Sequence, residues 1–319
     1  PAGITSHDVV ARVRRILKTK RVGHTGTLDP FATGVMVILV GQATRLAQFL
    51  DKDEKEYEAL VRFGFETDTG DRTGTRTGDR ELENEELSAR LEKIDWDATF
   101  RQFRGEIMQM PPMYSAKKVE GTKLYELARK GIEIERKSVP VTIHELELVN
   151  GGETSNPRDA LRIRVSCSAG TYIRTLAEDI GRAVGVGAHL EELRRTRAGR
   201  FAIDRAVTLE ELEGSADPMA RLIPMDEAVT HLPEVLLSEE RALKTKNGMS
   251  SRIFEPQFAD GDTIRMAGPN GELIAILNAS PVTEIRTAAV SAVATRALAR
   301  PDAQRVAILV SLSFASVNA

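Results

Sequence analysis

The chain has 319 residues, of which 41% are hydrophobic and 29% are charged. Such a composition is typical of a globular protein, and no apolar run approaches the roughly 20 residues of a membrane span, so we expect no membrane insertion. The formal net charge of −3 hides a basic segment, because residues 9–28 carry six Lys and Arg side chains and no acidic one. The single cysteine, Cys167, excludes an internal disulfide, and the reducing cytoplasm is the expected compartment.

The predicted elements begin with a helix and a glycine-rich loop. A helix start lies at residues 5–8, and apolar residues then recur at helical spacing as far as Leu17. Residues 23–34 (GHTGTLDPFATG) place three glycines and Pro30 around one carboxylate, Asp29. The glycines permit positive φ angles and Pro30 disfavours a helical Asp29, so the carboxylate is presented on a rigid turn. A simple turn or cap role for Asp29 is an alternative that the loop alone leaves open.

Helix-like and strand-like patterns are mixed along the rest of the chain, which indicates an α+β fold. We predict a buried strand over 35–40, and a rise in proline and polar residues predicts a boundary between domains over 1–229 and 230–319. Residues 285–319 receive no assignment. The other predictions are helices over 45–50, 83–93, 97–103 and 171–184, and strands over 56–65, 132–149, 160–167, 263–266 and 272–277.

Arg174 lies at the rim of the apolar stripe of the helix predicted over 171–184. At about 100° per residue it is turned roughly a quarter circle from the centre of that stripe, so packing can anchor it while its guanidinium reaches into a cleft. Other chemistries lack their motifs: the chain has no phosphate loop with a lysine, no clustered His and Cys ligands, and no second carboxylate framed like Asp29. Nucleotide hydrolysis, metal catalysis and glycoside hydrolysis by paired carboxylates are therefore unsupported.

Residues 23–34 resemble, almost residue for residue, the catalytic motif of the TruB family of tRNA pseudouridine synthases. Other segments resemble motifs of this family in the same order, at residues 1–6, 55–57, 111–117, 170–175 and 193–197. Family members carry an earlier strand and a lysine before the position that Pro1 matches, so we expect a truncated N-terminus. Ala198 and Arg200 stand where Ser and Pro are commoner in the family, which affects only the local loop.

The resemblance implies a pseudouridine-synthase fold: a mixed, largely antiparallel sheet flanked by helices, followed by a small β-rich, PUA-like domain over 230–319 with an atypical tail. It implies isomerisation of a uridine to pseudouridine in the T-arm of tRNA, at position 55 in tRNA numbering, after the base is flipped out. No cofactor and no metal is implied. The expected partner is the T-arm stem-loop, with no obligate protein partner, and we expect a monomer.

The resemblance also assigns roles to individual residues. Asp29 is the expected catalytic carboxylate, and Arg174 is expected to hold it ionised by lowering its pKa; a structural salt bridge is the alternative reading of that pair. Tyr57 is expected to stack on the uracil and to act as base for the C5 proton. The other expected contacts are His24, Tyr172 and Leu193 with the substrate, and Arg15, Lys117, Arg194 and Arg195 with the RNA backbone.

Two other functions are weighed against this one. The first is a tRNA-binding or tRNA-folding protein in which catalysis is secondary or lost, although intact Asp29, Tyr57 and Arg174 argue against loss. The second is a guide-RNA-dependent relative resembling dyskerin, which is disfavoured because the chain lacks obvious extensions for protein partners.

Overall fold

The structure, a computed structural model, describes residues 1–77, 84–115, 118–119, 122–124, 128, 131–132, 134–149, 159–247, 258 and 262–278. Its helices are α1 (Ser6–Ile16), α2 (Ala47–Leu50), α3 (Asn84–Leu91), α4 (Trp96–Arg101), α5 (Ile173–Ala183), α6 (Leu209–Gly214), α7 (Met225–Ala228) and α8 (Glu239–Lys246). Short 3₁₀ helices lie at Gly41–Leu46, Ile203–Arg205 and Pro218–Arg221. Within these described ranges, no helix is both long enough and apolar enough to cross a bilayer.

The strands of the first two-thirds of the chain are β1 (Val22–Thr25), β2 (Thr33–Gly34), β3 (Val37–Val40), β4 (Lys55–Phe63), β5 (Glu66–Thr67), β6 (Arg76–Thr77), β7 (Gly105–Gln109), β8 (Lys118–Val119), β9 (Thr122–Lys123), β10 (Val139–Leu148), β11 (Ala160–Cys167), β12 (Ala188–Ala198) and β13 (Phe201–Ala202). Among the described residues, the main sheet has the order β13-β12-β4-β11-β10-β7, and β2 also pairs with β12. The pairing of β2 with β12 is parallel and the other ladders of this sheet are antiparallel. The predicted mixed, largely antiparallel sheet is confirmed.

The core lies on one face of this sheet, beneath α5. In β4 the side chains of Tyr57, Ala59, Val61 and Phe63 alternate inward, as the two-residue period of a strand requires. Helix α5 packs against β12 and β4 through its apolar face. Gly181 permits this close packing, because a Cβ atom built there would lie 2.3 Å from the backbone nitrogen of Ala188. This contact holds the last turn of α5 close to the start of β12.

The segment predicted as a buried strand over 35–40 differs from the prediction. Only residues 37–40 form a strand, β3, and it pairs with β1 outside the main sheet. Leu39 is the only buried residue of these four. Ile38 of this strand packs against a smaller cluster formed with α1 and α6, so hydrophobicity alone gave the wrong location. The loop that carries Asp29 therefore joins β1 to the short strand β2, and β2 is the part that enters the main sheet.

Two other stretches of the main sheet also differ from the sequence analysis. β10 begins at Val139, so the described residues before it, 132 and 134–138, do not belong to the strand predicted over 132–149. β12 was not predicted, although it spans eleven residues and pairs with β4 along its length. Its charged sequence, AHLEELRRTRA, masks the alternation because the ladder contains two bulges.

The C-terminal residues form a second unit, and the chain divides after Arg221. Within residues 222–319 the described strands are β14 (Glu234–Leu236), β15 (Thr263–Ala267) and β16 (Leu273–Asn278), in the order β14-β15-β16. Apolar residues of this sheet pack with Ala242 of α8 into a core of their own. The PUA-like assignment of this region stays a prediction, and residues 285–319 lie outside the described residues.

Candidate active site

The loop between β1 and β2 holds Asp29 in a fixed frame. Leu28 donates its backbone N–H to the Ser6 hydroxyl, which in turn donates to the Leu28 carbonyl, so the start of α1 brackets the residue before Asp29. The Ala32 N–H donates to the Asp29 carbonyl at 3.0 Å, closing a tight turn. Gly34 has a φ of +108° and lies against the backbone of Arg195. The carboxylate is therefore displayed on a turn that is tied down on both sides.

The predicted contact between Asp29 and Arg174 is present. Arg174 Nε lies 2.9 Å from one carboxylate oxygen of Asp29, and Nη2 donates to the other oxygen at 3.2 Å. This two-point geometry fixes the plane of the carboxylate as well as its charge. Arg174 is 4% exposed, whereas the side chain of Asp29 keeps 33% of its surface open. The guanidinium thus holds the carboxylate from the protein side and leaves its other side accessible.

Arg174 is itself held by three further groups. Its Nη1 donates to the Thr69 carbonyl at 2.9 Å and its Nη2 to the Tyr114 carbonyl at 2.7 Å. The buried carboxylate of Asp71 lies 3.8 Å from Nη1. Asp71 is fixed by hydrogen bonds that its Oδ1 accepts from the N–H and the hydroxyl of Thr73.

Asp71 is a site residue that the sequence analysis missed. It lies in the hairpin between β5 and β6, within the segment TDTGDRTG at residues 67–74. That segment frames a carboxylate with glycine and threonine much as residues 23–34 frame Asp29, and this similarity could have drawn attention to it. The guanidinium of Arg174 therefore lies between two carboxylates, one open to the cleft and one buried.

The ionisation of Asp29 depends on burial as well as on Arg174. Burial raises the pKa of the Asp29 carboxyl above its usual value, Arg174 opposes this shift, and the nearby Asp71 carboxylate adds to it. Arg174 thus lowers the pKa of Asp29 as expected, but burial has the larger effect, so the net shift is upward. Arg174 limits the increase and so keeps the carboxylate form accessible.

Tyr57 lies on β4, on the core face of the sheet, and is 9% exposed. Burial raises the pKa of its phenol above 10.0, while the charge of Arg195 opposes the shift. A phenol with a raised pKa is a weaker candidate for proton abstraction near neutral pH. Both roles of Tyr57, stacking on the uracil and acting as base for the C5 proton, stay predictions.

His24 borders a cleft beside the Asp29 loop. The cleft has a volume of about 400 Å³ and is lined by His24, Gly26, Thr27, Ala47, Gln48 and Asp51. The Nδ1 atom of His24 is buried without a hydrogen-bond partner in the structure. Burial lowers the pKa of His24, so the neutral imidazole is favoured. A neutral imidazole has one donor and one acceptor nitrogen, and the buried Nδ1 is not the one that a molecule bound in the cleft could reach.

The other two predicted substrate contacts lie on elements that border the site. Leu193 is buried on β12, opposite Ala59 of β4, on the core face. Tyr172 is half-buried at the N-terminus of α5. The fully buried amide of Gln109 donates to the Tyr172 carbonyl at 3.0 Å and accepts its N–H at 2.7 Å. Gln109 therefore fixes the residue before the first turn of α5, and sequence reasoning did not identify it.

The residues predicted to contact the RNA backbone have different outcomes. Arg195 is fully buried, so the predicted phosphate contact is wrong for this residue. Arg194 is exposed and precedes it on β12, opposite Glu58, so alternation places it on the other face of the sheet from Leu193 and Arg195. Arg15 is exposed and lies 3.7 Å from a carboxylate oxygen of Glu213. Lys117 lies outside the described residues.

Comparisons with known proteins show the family of this chain. Residues 14–173 match the profile of the TruB family pseudouridylate synthase (N terminal domain), and residues 174–244 match the tRNA pseudouridylate synthase B C-terminal domain. The tRNA pseudouridine synthase B of Bacillus pumilus (strain SAFR-032) is 41% identical over 289 residues, which cover 88% of this chain and 91% of that protein. That of Geobacillus kaustophilus (strain HTA426) is 46% identical and covers 82% of this chain and 90% of that protein.

Solved structures show the same fold. A chain of a Cbf5-Nop10-Gar1 complex matches with a TM-score of 0.63 and 28% identity, covering 88% of this chain and 76% of its own length. A chain of an H/ACA RNP bound to a substrate RNA containing 2′-deoxyuridine matches with a TM-score of 0.62 and 28% identity, covering 89% of this chain and 77% of its own length.

The sheet, the paired Asp29 and Arg174 and these matches define the class of protein, which is a pseudouridylate synthase. The chain belongs to the TruB family of these enzymes. A match of another kind covers residues 263–313, which resemble the ornithine cyclodeaminase/mu-crystallin family. The family membership therefore rests on residues 14–244 and on the long alignments with the curated relatives.

Proposed function

We propose that this enzyme converts a uridine in the T-arm of tRNA, at position 55 in tRNA numbering, to pseudouridine, with Asp29 as its catalytic carboxylate. One observation supports this most strongly: the carboxylate of Asp29 is held at two points by a buried arginine and is open on its other side. The relatives named tRNA pseudouridine synthase B support tRNA as the substrate.

The proposed reaction exchanges one bond for another within the nucleotide. The N1–C1′ glycosidic bond breaks, the uracil turns, and a new bond joins C5 to C1′; C5 then gives up its proton to a base or to water, and N1 takes up a proton, so that the atoms balance. The sum is an isomerisation without net oxidation or reduction, so it calls for no redox partner.

Asp29 and Arg174 have different roles at the reacting sugar and base. Asp29 acts as the carboxylate beside the target nucleotide, and binding of RNA over its open side removes the water that remains there. Desolvation strengthens its interaction with developing charge at the reaction centre. Arg174 keeps the carboxylate ionisable and oriented during that step, since its own position is fixed by the carbonyls of Thr69 and Tyr114.

The remaining residues are proposed to hold the flipped base. Tyr57, Tyr172 and Leu193 offer aromatic and apolar surface around the uracil, and Tyr57 does so as a neutral phenol. His24, which borders the cleft, contacts the RNA where the base has left the stack. The cost of unstacking, a few kcal/mol, is offset by these contacts.

The experiment that tests this proposal maps pseudouridine along a full tRNA transcript after incubation with the enzyme, using carbodiimide modification and primer extension. We expect one new stop, at the T-arm uridine, and none in a transcript that carries cytidine at this position. Tight binding of the transcript without any pseudouridine would contradict the proposal and favour the tRNA-binding or tRNA-folding protein. A stop at another uridine would contradict the proposed position.

A further inference from the structure

The geometry points to Arg195 as a positioning residue for the proposed reaction: it fixes the backbone of the loop that presents Asp29. This inference rests on the proposed function of the site. It replaces the phosphate contact predicted from the sequence with a role inside the protein.

The side chain of Arg195 hydrogen-bonds the loop on both sides of Asp29. Its Nε donates to the Val35 carbonyl at 2.7 Å, and its Nη2 donates to the Gly26 carbonyl at 3.1 Å. Its Nη1 donates to the Thr27 carbonyl at 3.4 Å. One guanidinium thus joins the segment that enters the turn to the segment that leaves it.

The backbone of Arg195 holds the same loop from a second direction. Gly34 pairs with it in the parallel ladder of β2 and β12, and the Val35 N–H donates to the Arg195 carbonyl at 2.8 Å. A Cβ atom built on Gly34 would lie 2.1 Å from that carbonyl oxygen. Real Cβ atoms do not approach so closely, so the absence of a side chain at Gly34 allows the loop to lie against β12.

Arg195 also lies beside a second residue of the site. It is the cross-strand partner of Tyr57 in the ladder of β12 with β4, and its charge opposes the rise in the pKa of that phenol. A single buried side chain therefore relates the loop of Asp29 to the aromatic ring on β4.

The chemistry of the contact explains why an arginine stands here. The planar guanidinium presents five donors in a fixed fork, which can reach several carbonyls at once, whereas a lysine ammonium is a compact charge. Burial of a cation among carbonyl oxygens is costly, and an apolar side chain of similar volume would fill the core at lower cost. A role in holding the loop accounts for that cost.

The test compares Arg195→Lys with the wild-type enzyme, with Arg164→Lys as the control. Arg164 lies on β11 of the same sheet, where its ion pair with Glu147 is partly exposed. Rates of pseudouridine formation are measured under single turnover, at several RNA concentrations and at a temperature where each variant is folded. We expect Arg195→Lys to lower the maximal rate by about a hundredfold while the half-saturating RNA concentration changes less than about threefold.

Three results would overturn the inference. A maximal rate equal to that of the wild type, even with a lower melting temperature, would show a role in stability only. A variant that binds RNA more weakly at an unchanged maximal rate, with an affinity that depends less steeply on salt, would instead support a contact between Arg195 and phosphate. A loss of rate as large in Arg164→Lys would show that the effect is not specific to the loop.

A second variant keeps the test decisive if Arg195→Lys does not fold. Gly34→Ala disturbs the neighbouring contact between the loop and the backbone of Arg195, and we expect it to lower the maximal rate with little change in RNA affinity. A wild-type rate for this variant would contradict the inference. Failure of the proposed function is distinguishable, because the wild-type enzyme itself would then form no pseudouridine.

Discussion

At the scale of single residues, the site depends on a balance at Asp29 between burial and one buried cation. Desolvation favours the protonated acid and raises its pKa, while the two-point contact with Arg174 favours the carboxylate. A largely desolvated carboxylate interacts strongly with developing charge, and the contact with Arg174 still allows it to ionise. Replacement of Arg174 should therefore change the dependence of the rate on pH as well as its maximum.

We predict that Arg174→Lys lowers the maximal rate about ten- to hundredfold, because one ammonium cannot reproduce the charge-assisted pair of hydrogen bonds. The weaker partner leaves the pKa of Asp29 higher than in the wild type. Since activity requires the ionised form, the acid limb of the rate profile moves to higher pH, and the deficit is larger at about pH 6 than at about pH 8. Single-turnover rates across this range measure the shift.

Arg90→Lys serves as the control for this prediction, since Arg90 forms an exposed ion pair with Glu86 of its own helix, α3, and contacts no described residue of the site. Its acid limb should coincide with that of the wild type. An unshifted acid limb in Arg174→Lys would contradict the assignment of that limb to Asp29.

Asp29 and Arg174 each carried a local signal, a framed turn in one case and a place at the rim of a helical stripe in the other, and the family resemblance predicted that the two would meet. Arg195 had no such signal. Arg194 is exposed and its neighbour Arg195 is buried, and the two differ only in their position in the strand register. That register depends on how β12 pairs with β4. Long-range pairing of this kind cannot be read from the local sequence.

At the scale of elements, the hairpin that carries Asp71 is docked on α5 by a cluster of charges. Arg182 forms a two-point contact with Glu66 of β5, at 2.8 and 2.9 Å, and lies 3.6 Å from Glu178. Burial raises the pKa of Glu178 to about 7, while Arg182 opposes the shift. One carboxyl of the cluster thus titrates near neutral pH.

We predict that Glu178→Gln makes the protein more stable than the wild type at about pH 8. A folded-state pKa of about 7 above the ordinary 4.5 means that the folded protein binds more protons between these values, so wild-type stability falls as pH rises through them. Glutamine does not titrate, so the stability of the variant does not fall in this way as pH rises. With a discount for partial exposure, the gain is about 1–2 kcal/mol at pH 8 and shrinks toward pH 5, as urea unfolding at both pH values will measure.

Glu213→Gln provides a contrasting control on α6. Hydrogen bonding to Arg12 lowers the pKa of Glu213, so this carboxylate is ionised in both the folded and unfolded states between about pH 5 and pH 8. Its effect on unfolding should therefore be the same at both values. A gain in Glu178→Gln that does not depend on pH would contradict the account of the cluster.

The elements themselves were predictable where one pattern dominated. The strand at 160–167 and the helix near 171–184 have clear periods of two and 3.6 residues, and both formed where they were expected. The charged strand β12 was missed because it is stabilised by pairing with neighbouring strands and lacks a clear local pattern. The apolar strand β3 was misplaced because it packs on the smaller cluster outside the main sheet. Tertiary contacts overrode local pattern in both cases.

At the scale of the whole molecule, two kinds of information were needed. The order of motifs along residues 1–200 predicted the family, and the profile matches over residues 14–244 confirmed it. The arrangement of the site came from the fold, which brings together residues as distant in sequence as Asp29, Asp71 and Arg174. The nature of the C-terminal unit was not predictable to the same degree, since its motifs are few and residues 263–313 resemble a different family.

The measurement that tests the central claim most directly is tritium release from a T-arm transcript labelled at C5 of uridine, compared between the wild type, Asp29→Asn and Asp204→Asn. Asp204 is an exposed residue outside the site, so the same change of carboxylate to amide there should leave the rate unchanged. We predict that the wild type releases tritium and that Asp29→Asn releases it about a thousandfold more slowly or not at all. Release by Asp29→Asn at the wild-type rate would contradict the assignment of Asp29 as the catalytic carboxylate.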